Sequence, residues 1–90
     1  MVKLKIGNLE YNVIRFSHRF NFNDNNEPEQ IYVELTSFNN SMVEDIEEAF
    51  EGSAEVVSGD IDYTFEGYIL DSIDYTVDDN GERTSLFFKK

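Results

Sequence analysis

Cysteine is absent from the 90 residues, histidine and proline occur once each, and only seven residues are basic. The lack of cysteine removes disulfides, a thiolate nucleophile and cysteine metal ligands together. His18 has no second imidazole with which to complete a metal or nucleophile set. In "RFSHRFNF" it falls in phase with Phe16 and Phe20, the pattern of a packed structural side chain. No apolar run approaches the roughly 18 residues of a membrane span, and the opening "MVKLKIGNLE" alternates instead of forming a signal-peptide core. The expectation is a soluble protein that is not secreted, in which the acceptor-like Asn39-Asn40-Ser41 has no glycosylation meaning. There is no glycine-rich phosphate loop. "TVDDNGE" fails as a calcium loop: aligning Gly81 on the loop glycine puts Thr76 at the first ligand position and Phe87 at the last, where carboxylates belong. No catalytic residue, metal site or cofactor site is expected, and nothing in the spacing singles out a carboxylate pair for acid–base work.

What is present is acid, aromatic surface and alternation. Eight Phe and five Tyr give the chain enough apolar bulk to fold despite a net charge of −12. At this length one core, hence one domain over residues 1–90, is expected. The charge is segregated: 18 carboxylates and no Lys or Arg lie between Asp24 and Glu82, while Lys3, Lys5, Arg15, Arg19, Arg83, Lys89 and Lys90 sit outside. Such a block repels nucleic acid and anionic membrane and attracts basic partners. Its alternative meaning is solubility alone.

Patterning is mainly period two. Val2, Leu4 and Ile6 alternate, Gly7-Asn8 supplies a tight turn, and Leu9, Tyr11 and Val13 continue in a second strand. The apolar phase then flips to Ile14, Phe16, Phe20 and Phe22, which predicts a bulge near Val13-Ile14. Asn23 to Gln30 reads as a mobile loop and "IYVELTSF" as the third strand. A helix over about Met42 to Glu51 is predicted by a Ser41/Glu44 capping box, by the stripe Met42, Val43, Ile46, Ala49 and Phe50, and by Gly52 as a left-handed cap. Alternation then runs through the apolar series Ile61 to Val77, about 55 Å at about 3.3 Å per residue, so the strand must break or bend between Gly67 and Asp71. Asn80-Gly81 as a two-residue type I′ turn would pair Val77 with Thr84, Tyr75 with Leu86 and Ile73 with Phe88, all facing the core. The fold class is mainly β (α+β), a small antiparallel β-barrel or sandwich of about five to seven strands with one helix.

"LKIGNLEYNVIRFSHRFNF", "IYVELTS", a capped helix and "TFEGYILDSIDYTVDDNGERTSLFFKK" together resemble the order of elements in bacteriophage tail-tube proteins and the related tube protein of type VI secretion. In those families a late "GY" strand, a polar hairpin and a closing apolar strand form one wall. Gly67, Tyr68, the hairpin Asp78 to Arg83, and Leu86 to Phe88 match that wall. This chain is shorter than typical tube subunits and has no long ring-stacking loop. The resemblance therefore implies a tail accessory, baseplate or head-tail completion protein of a phage or prophage, located in the virion or the host cytoplasm.

Two functions compete. A structural subunit would bind copies of itself and neighbouring virion proteins, with carboxylates lining a channel. A small acidic inhibitor, such as a DNA mimic, an anti-CRISPR protein or a nuclease inhibitor, would instead bind a basic nucleic-acid-binding host protein, and a toxin-neutralising immunity protein belongs to the same interaction class. Either way the acidic face expected to meet the partner comprises Asp60, Asp62 and Glu66, Asp74 and Asp78, and the helical Glu44, Glu47, Glu48 and Glu51. Alternate strand positions repeat at about 6.6 Å, close to phosphate spacing, so Asp60, Asp62 and Glu66 would present a phosphate-like row.

Overall fold

The architecture is taken from a computed structural model that describes residues 1–21, 29–36 and 39–90. Seven strands and one helix follow in the order β1 (Val2–Ile6), β2 (Leu9–Arg19), β3 (Gln30–Leu35), α1 (Met42–Ala49), β4 (Ser53–Ser58), β5 (Ile61–Glu66), β6 (Ile69–Asp78) and β7 (Gly81–Lys89). They form one antiparallel sheet in the order β5-β4-β1-β2-β3-β7-β6, the β-dominated α+β fold that the alternation implies. No helix among the described residues is long and apolar enough to cross a membrane. The expected loop over residues 23–30 lies outside the described residues as far as 28, and Gln30 already belongs to β3.

The sheet curls but does not close. β5 and β7 are five strand steps apart, about 24 Å in a flat sheet, yet the Phe65 and Phe88 rings meet at 5.2 Å. Phe16 of β2 meets Tyr63 of β5 at 5.2 Å, again across intervening strands. β5 and β6 remain unpaired edges, joined through Gly67 and Tyr68 but not by a ladder. The enclosed core comprises Leu4, Ile6, Val13, Ile31, Val33, Leu35, Val56, Phe65, Leu86 and Phe88 from the strands, with Met42 and Ile46 from α1. The helix lies on this concave side against the β1–β2 turn, where a Cβ on Gly7 would stand 3.7 Å from that of Ala49. The Phe50 and Phe88 rings pack at 4.9 Å beside it.

Several local expectations hold. The β2–β3 register shifts between Val13 and Arg15, so Ile14 is the extra residue that reverses the apolar phase. The long alternating stretch breaks after Glu66, where Gly67 takes φ +80°, and a second irregularity falls between Leu70 and Ser72. Ile6 pairs with Leu9 across Gly7-Asn8 as the turn requires.

Three others are corrected. Asp78 pairs with Gly81, so the last turn is Asp79-Asn80 and not Asn80-Gly81. Only glycine has positive φ among the described residues, which excludes a type I′ turn at Asn80-Gly81. Instead Asp78 accepts the Asn80 N–H at 2.8 Å, and Gly81 at φ +107° follows as the left-handed residue of a type I turn. The pairing therefore slips by two positions, to Val77 with Glu82, Tyr75 with Thr84 and Ile73 with Leu86. A slip of two preserves the face but moves each side chain along it, and Tyr75 ends beyond the core at 44% exposure. The capping box is also replaced. Ser41 is helical and makes no side-chain cap, while Asn39 Oδ1 accepts from both the Ser41 N–H and hydroxyl. Finally the helix stops at Ala49, because Phe50 is extended and reaches the core, and Gly52 turns the chain into β4 instead of capping α1.

The register makes a stability prediction. Phe88→Ala, at a site 1% exposed, lowers the unfolding free energy by about 3–5 kcal/mol. Tyr75→Ala costs less than about 1 kcal/mol. Urea midpoints measure both, and an equal loss at Tyr75 would mean that it pairs with Leu86 after all.

Candidate functional site

Three arrangements stand out from the sheet. The first is a polar cluster on the seam where β5 turns into β6. The phase flip at Ile14 points His18 of β2 inward, where its side chain is 11% exposed. Its Nδ1 bonds the Tyr63 hydroxyl of β5, and its Nε2 lies 3.2 Å from Glu29 Oε2 and 2.9 Å from the Tyr68 hydroxyl. Tyr68 donates to the same Glu29 oxygen at 2.7 Å, and Lys90 Nζ stands 3.8 Å from it. An imidazole with its proton on Nε2 satisfies these contacts: Tyr63 donates to the bare Nδ1, and the Nε2–H faces Glu29. The Phe20 ring stacks on His18 at 3.9 Å. Burial, then the bond to Glu29, pushes the Tyr68 phenol far above its ordinary range. The Tyr68 hydroxyl and the His18 ring hold the Glu29 carboxyl below the usual carboxylate value. This cluster ties β2 and β5 to the residues just before β3, just before β6 and just after β7, across the open seam. His18 is thus packed and largely buried, as its phase implies, but its partners are 11, 45 and 50 residues away, which spacing does not show.

The second arrangement is the gathering of the strand-borne cations on one side of the sheet, a side that also carries Glu10, Glu34, Glu55, Asp62, Glu66, Asp74 and Asp78. Lys3, Lys5, Arg15, Arg19, Arg83 and Lys89 all project from the convex face, because each pairs with, or adjoins in alternation, a residue opposite in face to the core set. Some are neutralised there: Lys3 with Glu10 at 2.8 Å, Arg83 with Glu34 at 3.3 Å and with Asp78, and Lys89 with Asp71 at 3.1 Å. Lys5, Arg15 and Arg19 make no ion pair among the described residues. The concave side carries the helix, whose polar positions Glu44, Asp45, Glu47 and Glu48 are all acidic, with no basic residue in its last turn. Sequence reading saw basic ends and an acidic middle. What spacing does not show is that β1, β2 and β7 are all interior strands, so that their cations share one face.

The predicted acidic residues accordingly fall in three places. Glu44, Glu47, Glu48 and Glu51 lie on or just after α1. Asp62 and Glu66 share the outer face of the edge strand β5, whereas Asp60 sits in the β4–β5 turn, so the strand row is two carboxylates with Thr64 between them. Asp74 and Asp78 lie on β6 at the opposite end of the strand order, and Asp78 is bound to Arg83.

The third arrangement is a cleft of about 590 Å³ between α1 and the free edge of β6. Val43, Glu47, Phe50 and Glu51 form its helix side, and the run Tyr68 to Ile73 forms the other. A consecutive run of strand residues along one wall means that the cleft follows the β6 backbone edge. Among the described residues no set of three or more His, Asp or Glu side chains could hold a metal ion. Comparison with protein-family models, with curated proteins and with solved structures gives no match for this chain.

The seam cluster has a pH consequence. A carboxyl that binds its proton less readily folded than unfolded stabilises the fold above its ordinary value, and the contribution is lost as pH falls through the depressed one. The stability difference between the native protein and Glu29→Gln is therefore largest near neutrality and closes as pH falls through and below 4.5, the unperturbed value. Taking the difference cancels the charge relief that acid brings to the other carboxylates. Urea unfolding of both proteins at several pH values measures it, and a difference independent of pH would separate Glu29 from the cluster.

Proposed function

We propose that the protein works by binding other proteins, without catalysis, as a structural or assembly subunit of a phage or prophage particle such as a tail, baseplate or head-tail completion component. The observation that supports this reading is the unlike make-up of the two sides of the sheet, with an all-acidic helix on one and six Lys and Arg side chains, set among acids such as Glu10, Glu34, Asp62 and Glu66, on the other. Two unlike faces suit heterologous contacts, in which the acidic helix of one subunit meets the cation-bearing face of its neighbour. The resemblance to tail-tube proteins supplies the narrower particle reading. On that resemblance the β6–β7 hairpin would be the counterpart of the wall.

A second reading, the small acidic inhibitor that mimics DNA, has its own support. Glu44, Glu47, Glu48, Glu51, Asp62 and Glu66 are exposed and carry no ion pair among the described residues. Against it, the helical acids and the β5 acids occupy different sides of the sheet, so they do not form one continuous phosphate-like track.

Light scattering across protein concentration and salt, joined to competition against DNA for a panel of nucleases, separates the two. A structural subunit self-associates or binds neighbouring particle proteins. Glu44→Lys with Glu48→Lys weakens that association, and Asp62→Lys with Glu66→Lys leaves it largely intact. A strict monomer that displaces DNA from a nuclease, and loses this with Asp62→Lys and Glu66→Lys, would sink the structural reading.

A further inference from the structure

We infer that the cleft between α1 and β6 is a docking site for an extended basic segment of another protein, which adds to the free edge of β6 as an eighth strand. This deepens the proposed function and rests on its interaction reading. The edge is available: β6 pairs only with β7, and its other side faces the cleft along residues 69–73. Such an edge presents unpaired N–H and C=O groups that an incoming strand can satisfy. Five residues of added strand span about 17 Å at about 3.3 Å each.

The side chains define the occupant. The floor is apolar, with Val43 exposed by 36% beside Phe50, Leu70 and Ile73, while Ile69, paired with Lys89, turns to the convex side. Its charge is acidic: Glu47 and Glu51 stand on the helix side, unpaired among the described residues, while Asp71 is already held by Lys89. An incoming strand that alternates apolar residues with Lys or Arg would bury the first set on this floor and offer the second to the rim carboxylates. A second copy fits poorly. Pairing β6 with β6 would bring Asp74 of two subunits onto one face beside the ion-paired Asp71 and Asp78, and pairing it with β5 would set Asp74 near Asp62 and Glu66, with no free cation offered to Glu47 and Glu51. The chain's own Lys and Arg residues sit on the convex face or next to the seam and supply no free basic strand.

The test uses a nine-residue peptide of alternating lysine and valine, with an alternating glutamate–valine peptide as control, titrated into the full chain. The basic peptide is expected to shift the amide resonances of residues 43–51 and 68–73 and to slow amide exchange along residues 69–73. Its affinity should fall at least tenfold between low and moderate salt, and at least tenfold with Glu47→Lys and Glu51→Lys. Both glutamates are exposed, so the double variant keeps the native circular dichroism. Equal binding of the acidic peptide, exchange protection elsewhere, or no binding overturns the inference. So does exchange protection of residues 69–73 that grows with protein concentration alone, because a second copy would then be the occupant. If the basic peptide loses affinity with Asp62→Lys and Glu66→Lys but not with the groove variant, the cleft is excluded and the interaction reading stands. A strict monomer that displaces DNA removes the structural reading without touching the cleft.

Discussion

A seven-stranded sheet has more apolar surface on one face than an eight-residue helix can cover, so the sheet must cover itself. The aromatic contacts do this. Phe65 reaches Phe88 and Phe16 reaches Tyr63 across strands that would be far apart in a flat sheet, and α1 fills only the space that remains. Curling gives the molecule a closed inside and a convex outside while leaving β5 and β6 as edges. The seam between those edges is bridged by the Tyr63, Tyr68, His18 and Glu29 cluster instead of a ladder. Polar contacts buried at a seam are stabilising when each group has a partner, and no buried side-chain N or O atom among the described residues lacks one.

The same curling sets the electrostatics. Strand order places β1, β2, β3 and β7 in the interior of the sheet, so the cations of β1, β2 and β7 gather on the convex face with Glu10 and Glu34 between them, while further acids populate both rims and the helix. A chain of net charge −12 thus gathers its strand-borne cations on one side, among acids that include Glu10, Glu34, Asp62 and Glu66. Acidic edges also protect the protein from itself. Asp62 and Glu66 on β5, and Asp71, Asp74 and Asp78 on β6, make edge-to-edge pairing of identical chains unfavourable while leaving the β6 edge open to a segment of opposite charge.

Local chemistry was legible in the sequence and long-range pairing was not. The bulge at Ile14 showed as a phase flip, the bend at Gly67 as an impossible strand length, and the first turn as Gly7-Asn8. β4 was overlooked although Ala54 and Val56 alternate between Gly52 and Gly59, because its short apolar run follows a helix directly. The last turn was misplaced by one residue because Asn80-Gly81 looks like a type I′ pair, whereas Asp78 as an acceptor favours a type I turn one step earlier. Ser41 lost its expected capping role to Asn39, two residues upstream, which offers the same oxygen chemistry. Of the acidic residues, type and exposure were readable. Their distribution over three separate surfaces depends on strand order, which no local pattern encodes.

β7 is last among the strands in the chain, yet it lies between β3 and β6. Until residues 81–89 have been synthesised, β3 has no neighbour on one side, and Phe88 is missing from the ring cluster that curls the sheet. Assembly of the core therefore cannot proceed strand by strand from the N-terminus. It waits for the final hairpin to slot into place, a non-local step of the kind that makes sheet proteins slow to fold, and during that wait the growing chain exposes the inner faces of β1, β2 and β3 to whatever chaperones or partners are present.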